Sequence, residues 1–235
     1  MFSHRLRRPI VIAAAAIAVG GGAYGIVSAT SSGGSAAAVA AAMGSNPRFG
    51  PAAGGASNAR SGPAAGGTVG TVRSVSTSGF TVSTSAGQKV TVYKTSSTSY
   101  EKGTRSSSAG ALKTGDPVLV LGTTNGTTIT ATQVIVQPTG GGSGTSSAVV
   151  PFQHGAPSAA KQVGQIPANY SQGSGAIVTG TRANKATEAA LASYPGGIVD
   201  RVVKLSNGEY EVHNIGVNWP HHIFVNKNFE VIGAD

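Results

Sequence analysis

IVDRVVKLSNGEYEVHNIGV, residues 198–217, is the stretch at which the chain's apolar period turns from helical to extended. Ile198 to Leu205 reads as one strand. Asn207-Gly208 is a hairpin turn, because both residue types accept positive φ. Glu209 to Val217 reads as the returning strand, with Tyr210 and Val212 on one face and Glu209, Glu211 and His213 on the other, solvated one. Downstream, His221 to Val225 forms a third strand. A turn at Asn226-Lys227-Asn228 leads into a last one carrying Phe229 and Val231. Upstream, Arg182 to Tyr194 (RANKATEAALASY) is rich in residues that lose little rotamer freedom in a helix, with Ala183, Ala186, Ala190 and Leu191 at helical spacing. Thr181 is the expected N-cap, and Pro195-Gly196-Gly197 forbids continuation.

A helix ending in Pro-Gly, a strand of alternating Val, Gly208-x-Tyr210-x-Val212 and a closing Phe224-Val225 with Phe229-x-Val231 together resemble the PepSY domain. The resemblance implies an α+β domain over residues 175–235, one helix packed on a three- to four-stranded antiparallel sheet. It also implies a non-catalytic extracytoplasmic module that binds or restrains a peptidase or another envelope protein.

The rest of the 235 residues divide by composition. Gly accounts for 35 positions and charged residues for 11%, less than half the usual quarter, so long tracts lack the apolar surface needed to fold. The expected architecture is two small domains on flexible linkers: an anchor or signal at 1–29, a Gly/Ala/Ser/Pro spacer at 30–67, a small β domain at 68–138, a disordered linker at 139–174 and the C-terminal domain. Zero Cys excludes disulfides, thiolate catalysis and Cys-ligated zinc. Of the net charge of +9, residues upstream of 175 carry +10 and the rest −1, which suits contact of the upstream part with anionic lipid or cell-wall polymer.

Arg5, Arg7 and Arg8 precede Ile10 to Ala29, which has no charged side chain. Twenty helical residues span about 30 Å, the thickness of the hydrocarbon core. Two readings stand: an uncleaved single-pass anchor with the C-terminus outside, or a signal peptide cleaved after Val27-Ser28-Ala29 and a secreted protein. Gly20-x-Gly22-x-x-Gly25 matches the dinucleotide-binding pattern only formally, since no strand precedes it. Gly50-Pro-Ala-Ala-Gly-Gly55 recurs as Gly62-Pro-Ala-Ala-Gly-Gly67, too few copies for a solenoid.

From Thr68, short runs with Val72, Phe80, Val82, Val90, Val92, Val118 to Leu121 and Ile129 to Val136 predict five strands closing into a barrel, since closure removes exposed edges. The spacing GTVGTVRSV, GFTV, KVTVY, LKTGDPVLVLG and ITATQVIV resembles an exported bacterial domain of unknown function with an OB-like barrel, which brings no assigned activity. Its cations Arg73, Lys89, Lys94, Lys102, Arg105 and Lys113 are interleaved with only Phe80, Tyr93 and Tyr100. Single-strand binders need more stacking surface, so nucleic acid is not an expected partner.

Candidate chemistry is sparse. No Gly-x-Ser-x-Gly elbow exists, and Glu209 and Glu211 read as a solvated strand face. His213, His221 and His222 are the metal candidates. With a turn near Asn218 to Pro220, His213 pairs near Phe224 or Val225, and adjacent His221 and His222 point to opposite faces, so the three converge only with a bulge. No catalytic, metal or cofactor residue is assigned. The loop Trp219, Pro220, His221 and His222 is the candidate partner-binding site, because Trp is enriched among residues that carry interface energy, the other reading being a Trp that seals a small core. The sequence thus predicts an exported, membrane-tethered, non-enzymatic envelope protein. It binds either an extracytoplasmic protein such as a peptidase, or anionic wall polymer through its barrel and spacers.

Overall fold

The computed structural model describes residues 62–138, 147–155 and 161–235. The chain divides into two units, Met1–Arg48 and Phe49–Asp235, and every described residue belongs to the second. The anchor or signal at 1–29 and the spacer up to residue 61 lie outside the described residues. Among the described residues no helix is long and apolar enough to cross a membrane.

The expected five-stranded barrel is present. Seven strands precede residue 138: β1 (Ala64–Val75), β2 (Gly79–Ser83), β3 (Lys89–Tyr93), β4 (Ser99–Lys102), β5 (Arg105–Ser106), β6 (Pro117–Asn125) and β7 (Thr128–Val136). Antiparallel ladders join β1 to β2, β2 to β3, β6 to β7 and β1 to β6, and a parallel ladder from β3 to β7 closes the ring. The small hairpin β4–β5 adds to β7 outside the ring. The interior is filled by Val72, Phe80, Val82, Val90, Val92, Val118, Val120, Ile129 and Val134, all buried. β6 carries an unbroken Val118-Leu119-Val120-Leu121 because both of its faces are covered. Val118 and Val120 point into the barrel, while Leu119 and Leu121 point into a second core.

That second core belongs to the C-terminal part. Its elements are β8 (Val150–Pro151), β9 (Val163–Gly164), β10 (Ala176–Ile177), α1 (Gly180–Ser193), β11 (Ile198–Lys204), β12 (Tyr210–Ile215), β13 (Val217–Trp219), β14 (His222–Val225) and β15 (Val231–Ala234). The helix lies close to the predicted span and stops at Pro195 as expected, but its N-cap is Thr179 and not Thr181. The β11–β12 hairpin is also as predicted, with one difference. Only Gly208 adopts positive φ (+87°), and Leu205 accepts from Gly208 N–H, so the loop is a residue wider than the two-residue turn that Asn-Gly suggests.

The expectation of two small domains on flexible linkers, the second an α+β PepSY-like unit, is overturned. β1 pairs with β11 through Gly67↔Val199 and Thr68↔Ile198, so barrel and C-terminal strands form one sheet running β5-β4-β7-β3-β2-β1-β11-β12-β14-β15-β9. The seam is close. A Cβ on Gly66 would lie 2.0 Å from the Val199 carbonyl oxygen, and Thr68 Oγ1 donates to the Gly197 carbonyl at 3.0 Å. Ile198 of β11 is buried in the barrel core. The helix crosses the junction, its Ala183, Ala186, Ala190 and Leu191 sharing one core with Val69, Leu119 and Leu121 of the barrel strands as well as Val202, Val212 and Ile223. No self-contained α+β domain is left.

Two segments assigned to spacer and linker are also structured. β1 starts at Ala64, inside the second Gly-Pro-Ala-Ala-Gly-Gly copy, where small residues permit the close approach to β11. From the tract 139–174, β8 pairs with β13 and β9 with β15, while β10, just beyond it, pairs with β11. Short extended pieces of low hydrophobicity find main-chain partners on a sheet edge that their side chains do not announce.

Candidate functional site

Two polar constellations stand out on the C-terminal sheet. The first begins with a bulge. β11 and β12 pair Val199 with Asn214 and Arg201 with His213, leaving Asp200 as the extra residue, whose carboxylate bonds both Arg201 and His213. Arg201 Nη2 donates to Asp200 Oδ2 at 2.7 Å, and His213 Nδ1 lies 2.6 Å from Asp200 Oδ1. Burial raises the Asp200 pKa. The hydrogen bonds and positive charges of His213 and Arg201 overcome it and hold the carboxyl below its ordinary value of 3.8.

One register step along, β12 and β14 pair His213 with His222 and Glu211 with Phe224. His222 Nδ1 lies 2.8 Å from Glu211 Oε1, and the Tyr170 hydroxyl donates to the same oxygen at 3.3 Å. Glu211 is therefore not on a solvated face: it has 0% exposure. Its face is covered by the segment before β10, where Tyr170 packs edge-on against Phe224 with ring centroids 4.7 Å apart and lies 5.7 Å from His222.

The three histidines converge, against expectation. Ring centroids are 5.3 Å apart for His213 and His222, 6.4 Å for His213 and His221, and 6.5 Å for His221 and His222. The cause is the connection after β12. Gly216 (φ +79°) ends that strand and β13 leaves to pair with β8, so the chain returns only at His221, one residue ahead of β14. His213 thereby meets His222 instead of Phe224 or Val225. His221 is held below its ordinary pKa of 6.5, first by burial, then by the charges that His213 and His222 carry when protonated, against a smaller upward effect of a main-chain bond at Asn214. Among the described residues no group of three or more His, Asp or Glu is arranged to hold a metal ion. Two of its three rings, His213 and His222, are thus each bonded through Nδ1 to a carboxylate.

The four residues of the candidate partner-binding loop are split by the fold. Trp219 is 3% exposed and belongs to the helix-side core. Its Nε1 donates to the Lys161 carbonyl at 2.6 Å, the Lys161 ammonium sits 4.7 Å over its ring, and Tyr194 packs edge-on at 5.5 Å. Pro220 is buried as well. An indole enclosed in this way has no face left for a partner. His221 and His222 are half-buried and belong to the histidine cluster.

The second constellation is a cleft of about 410 Å³ beside the β11–β12 turn, lined by Arg182, Lys204, Ser206, Asn207, Gly208, Tyr210 and Lys227. Arg182 comes from the first turn of α1, Lys204 from the end of β11 and Lys227 from the β14–β15 turn. All three cations are exposed, no carboxylate lines the cleft, and among the described residues none of the three forms an ion pair. Lys227 crosses close to Gly208, where an added Cβ would meet its Cε at 2.7 Å. The sequence reading missed this site. Its members are far apart in the chain, and only the Lys204↔Tyr210 pairing was implicit in the hairpin.

Residues 69–135 match the family model described as Domain of unknown function (DUF5666), from the middle of β1 to the end of β7, under a third of the chain. No curated protein and no solved structure matches the chain.

Proposed function

We propose that this chain is an exported, non-enzymatic protein of the bacterial cell envelope, tethered by or released from its N-terminal apolar segment, that associates with anionic polymer. The observation that carries the reading is the cleft of Arg182, Lys204 and Lys227: three exposed cations around one concavity with no acidic residue among its lining. Like charges gathered without counterions are unfavourable for an isolated fold and favourable for an anionic ligand. The barrel adds to the same field. Arg73, Lys89, Lys102, Arg105 and Lys113 are exposed, and only Lys94 is half-buried, donating to the Ser76 carbonyl at 2.7 Å. A barrel interior packed with Val and Ile leaves the outer surface for binding. The other reading, that residues 175–235 bind an extracytoplasmic protein such as a peptidase, is drawn from the PepSY resemblance, whose α+β domain is not formed.

The test is retention of the full chain on an immobilised phosphodiester wall polymer, with an uncharged glycan as control. Binding to the first only, falling steeply as salt shortens the screening length to about 3 Å at 1 M, is the expected result. Arg182→Ala, Lys204→Ala and Lys227→Ala together weaken it several-fold. Equal retention on both matrices, or no change in the triple variant, overturns the proposal.

A further inference from the structure

We infer that the anionic ligand of the Arg182, Lys204 and Lys227 cleft is a glycosyl phosphate, its phosphate held in that cleft and its sugar ring in the hollow on the other side of Lys204. The inference rests on the anionic-polymer reading and names the unit that the polymer must present.

The hollow has a volume of about 440 Å³ and lies between the end of β11 and the chain from 169 to 178. Lys204 and Ser206 line both it and the cationic cleft, so the two share a wall. Strand register fixes their common face. Ala176 of β10 pairs with Lys204 of β11, and Lys204 pairs in turn with Tyr210 of β12. Residues directly opposite one another across a ladder stand on one face of the sheet, so these three form a row. Ala176 lines the hollow, Tyr210 lines the cleft, and Lys204 between them lines both. With neighbouring strands about 4.8 Å apart the row is about 10 Å long, room for one phosphate ester and the six-membered ring that carries it.

The two ends of the row differ in chemistry. The cleft offers three cations and no carboxylate. The hollow has no carboxylate either, and Lys204 at its edge is the one charged residue in its lining. Ala176, Val178 and the buried Leu205 give it apolar surface, while Asn169, Ser174 and Ser206 give it amide and hydroxyl groups. The Asn169 amide donates to Ser206 Oγ, which holds these two side chains together at the rim. Asn and Ser side chains can each both donate and accept hydrogen bonds. A pyranose matches that mixture, with C–H groups on its faces and hydroxyls around its edge. A nucleobase calls for an aromatic platform, and no aromatic side chain lines the hollow. An alkyl chain would shield the amide and hydroxyls from water and bond none of them.

The test is release of the full chain from the immobilised phosphodiester polymer by glucose 1-phosphate, glycerol 3-phosphate, hexyl phosphate or glucose. Ionic strength is fixed, and the pH is about 8, where each phosphate monoester carries close to two charges. Glucose 1-phosphate is expected to release half of the chain at a several-fold lower concentration than the other two phosphates, and glucose to release none over the same range. Ala176→Leu, which fills the floor of the hollow, brings glucose 1-phosphate to the level of glycerol 3-phosphate and leaves glycerol 3-phosphate unchanged. Asn169→Ala reduces the same advantage, and decides the location should Ala176→Leu not fold. Equal potency of glucose 1-phosphate and glycerol 3-phosphate overturns the inference and leaves the polymer reading standing. Hexyl phosphate as potent as glucose 1-phosphate, or an advantage undiminished in the variants that fold, does the same. If the polymer retains the chain and none of the phosphates releases it, the cleft reading and the inference fall together.

Discussion

His222 Nδ1 lies 2.8 Å from Oε1 of Glu211, a carboxylate with no exposed surface in the middle of a strand that reads as half-solvated. Removing one partner of a buried pair strands the other without water or counterion. Glu211→Ala is thus expected to lower stability by about 3 kcal/mol, whereas replacing Glu211 and His222 together by Leu recovers most of the loss. Urea unfolding midpoints of the three chains, compared with the exposed control Glu188→Ala, check this.

Stability should fall on acidification in two stages. The folded pKa of His221 lies below its ordinary 6.5, so the unfolded chain binds its proton more readily. The contribution is whole above 6.5 and lost as pH drops toward the folded value. Asp200 is likewise held below 3.8, so its contribution is present above that pH and lost only below it. A pH series of thermal midpoints checks both. His221→Gln removes the upper stage and Asp200→Asn the lower.

Gly66→Ala is expected to cost about 2 kcal/mol, the usual scale of overpacking, although Ala favours neither strand nor coil strongly here. The added methyl would lie 2.0 Å from a main-chain oxygen of β11, and neither backbone can retreat without opening the seam. Gly110→Ala, where a Cβ meets nothing within 4 Å, should be near neutral in the same urea titration.

Trp219→Ala should destabilise the protein by about 3 to 5 kcal/mol, since it empties a core site and removes the hydrogen bond to Lys161. Retention on anionic polymer, measured under conditions where the variant stays folded, should be unchanged because no cation of the cleft is touched.

Local signals in this chain were legible and non-local ones were not. The barrel strands, the helix stop at Pro195 and the turn at Gly208 follow from period and turn chemistry within ten residues of one another. Gly66 and Gly67 read as the end of a spacer, because nothing in a small residue says that another strand will pass beside it. Glu211 read as solvated because alternation assumes one wet face, and the cover comes from Tyr170, forty-one positions away in a tract without hydrophobic period. His213 and His222 could be paired only by knowing that β13 leaves the hairpin to join β8. The cationic cleft gathers Arg182, Lys204 and Lys227 from a helix, a strand and a turn, and their charge alone does not say that they meet.

The claim on which the rest depends is that barrel and C-terminal strands are one sheet sharing Ile198 in the barrel core. Urea unfolding of the full chain, followed at once by the fluorescence of Trp219, the sole tryptophan, and by amide protection of Val120 and Ile129 inside the barrel, tests it most directly. A single shared midpoint is predicted, with both probes shifted equally by Gly66→Ala. A barrel that keeps its protection after Trp219 has become exposed to water would contradict the account.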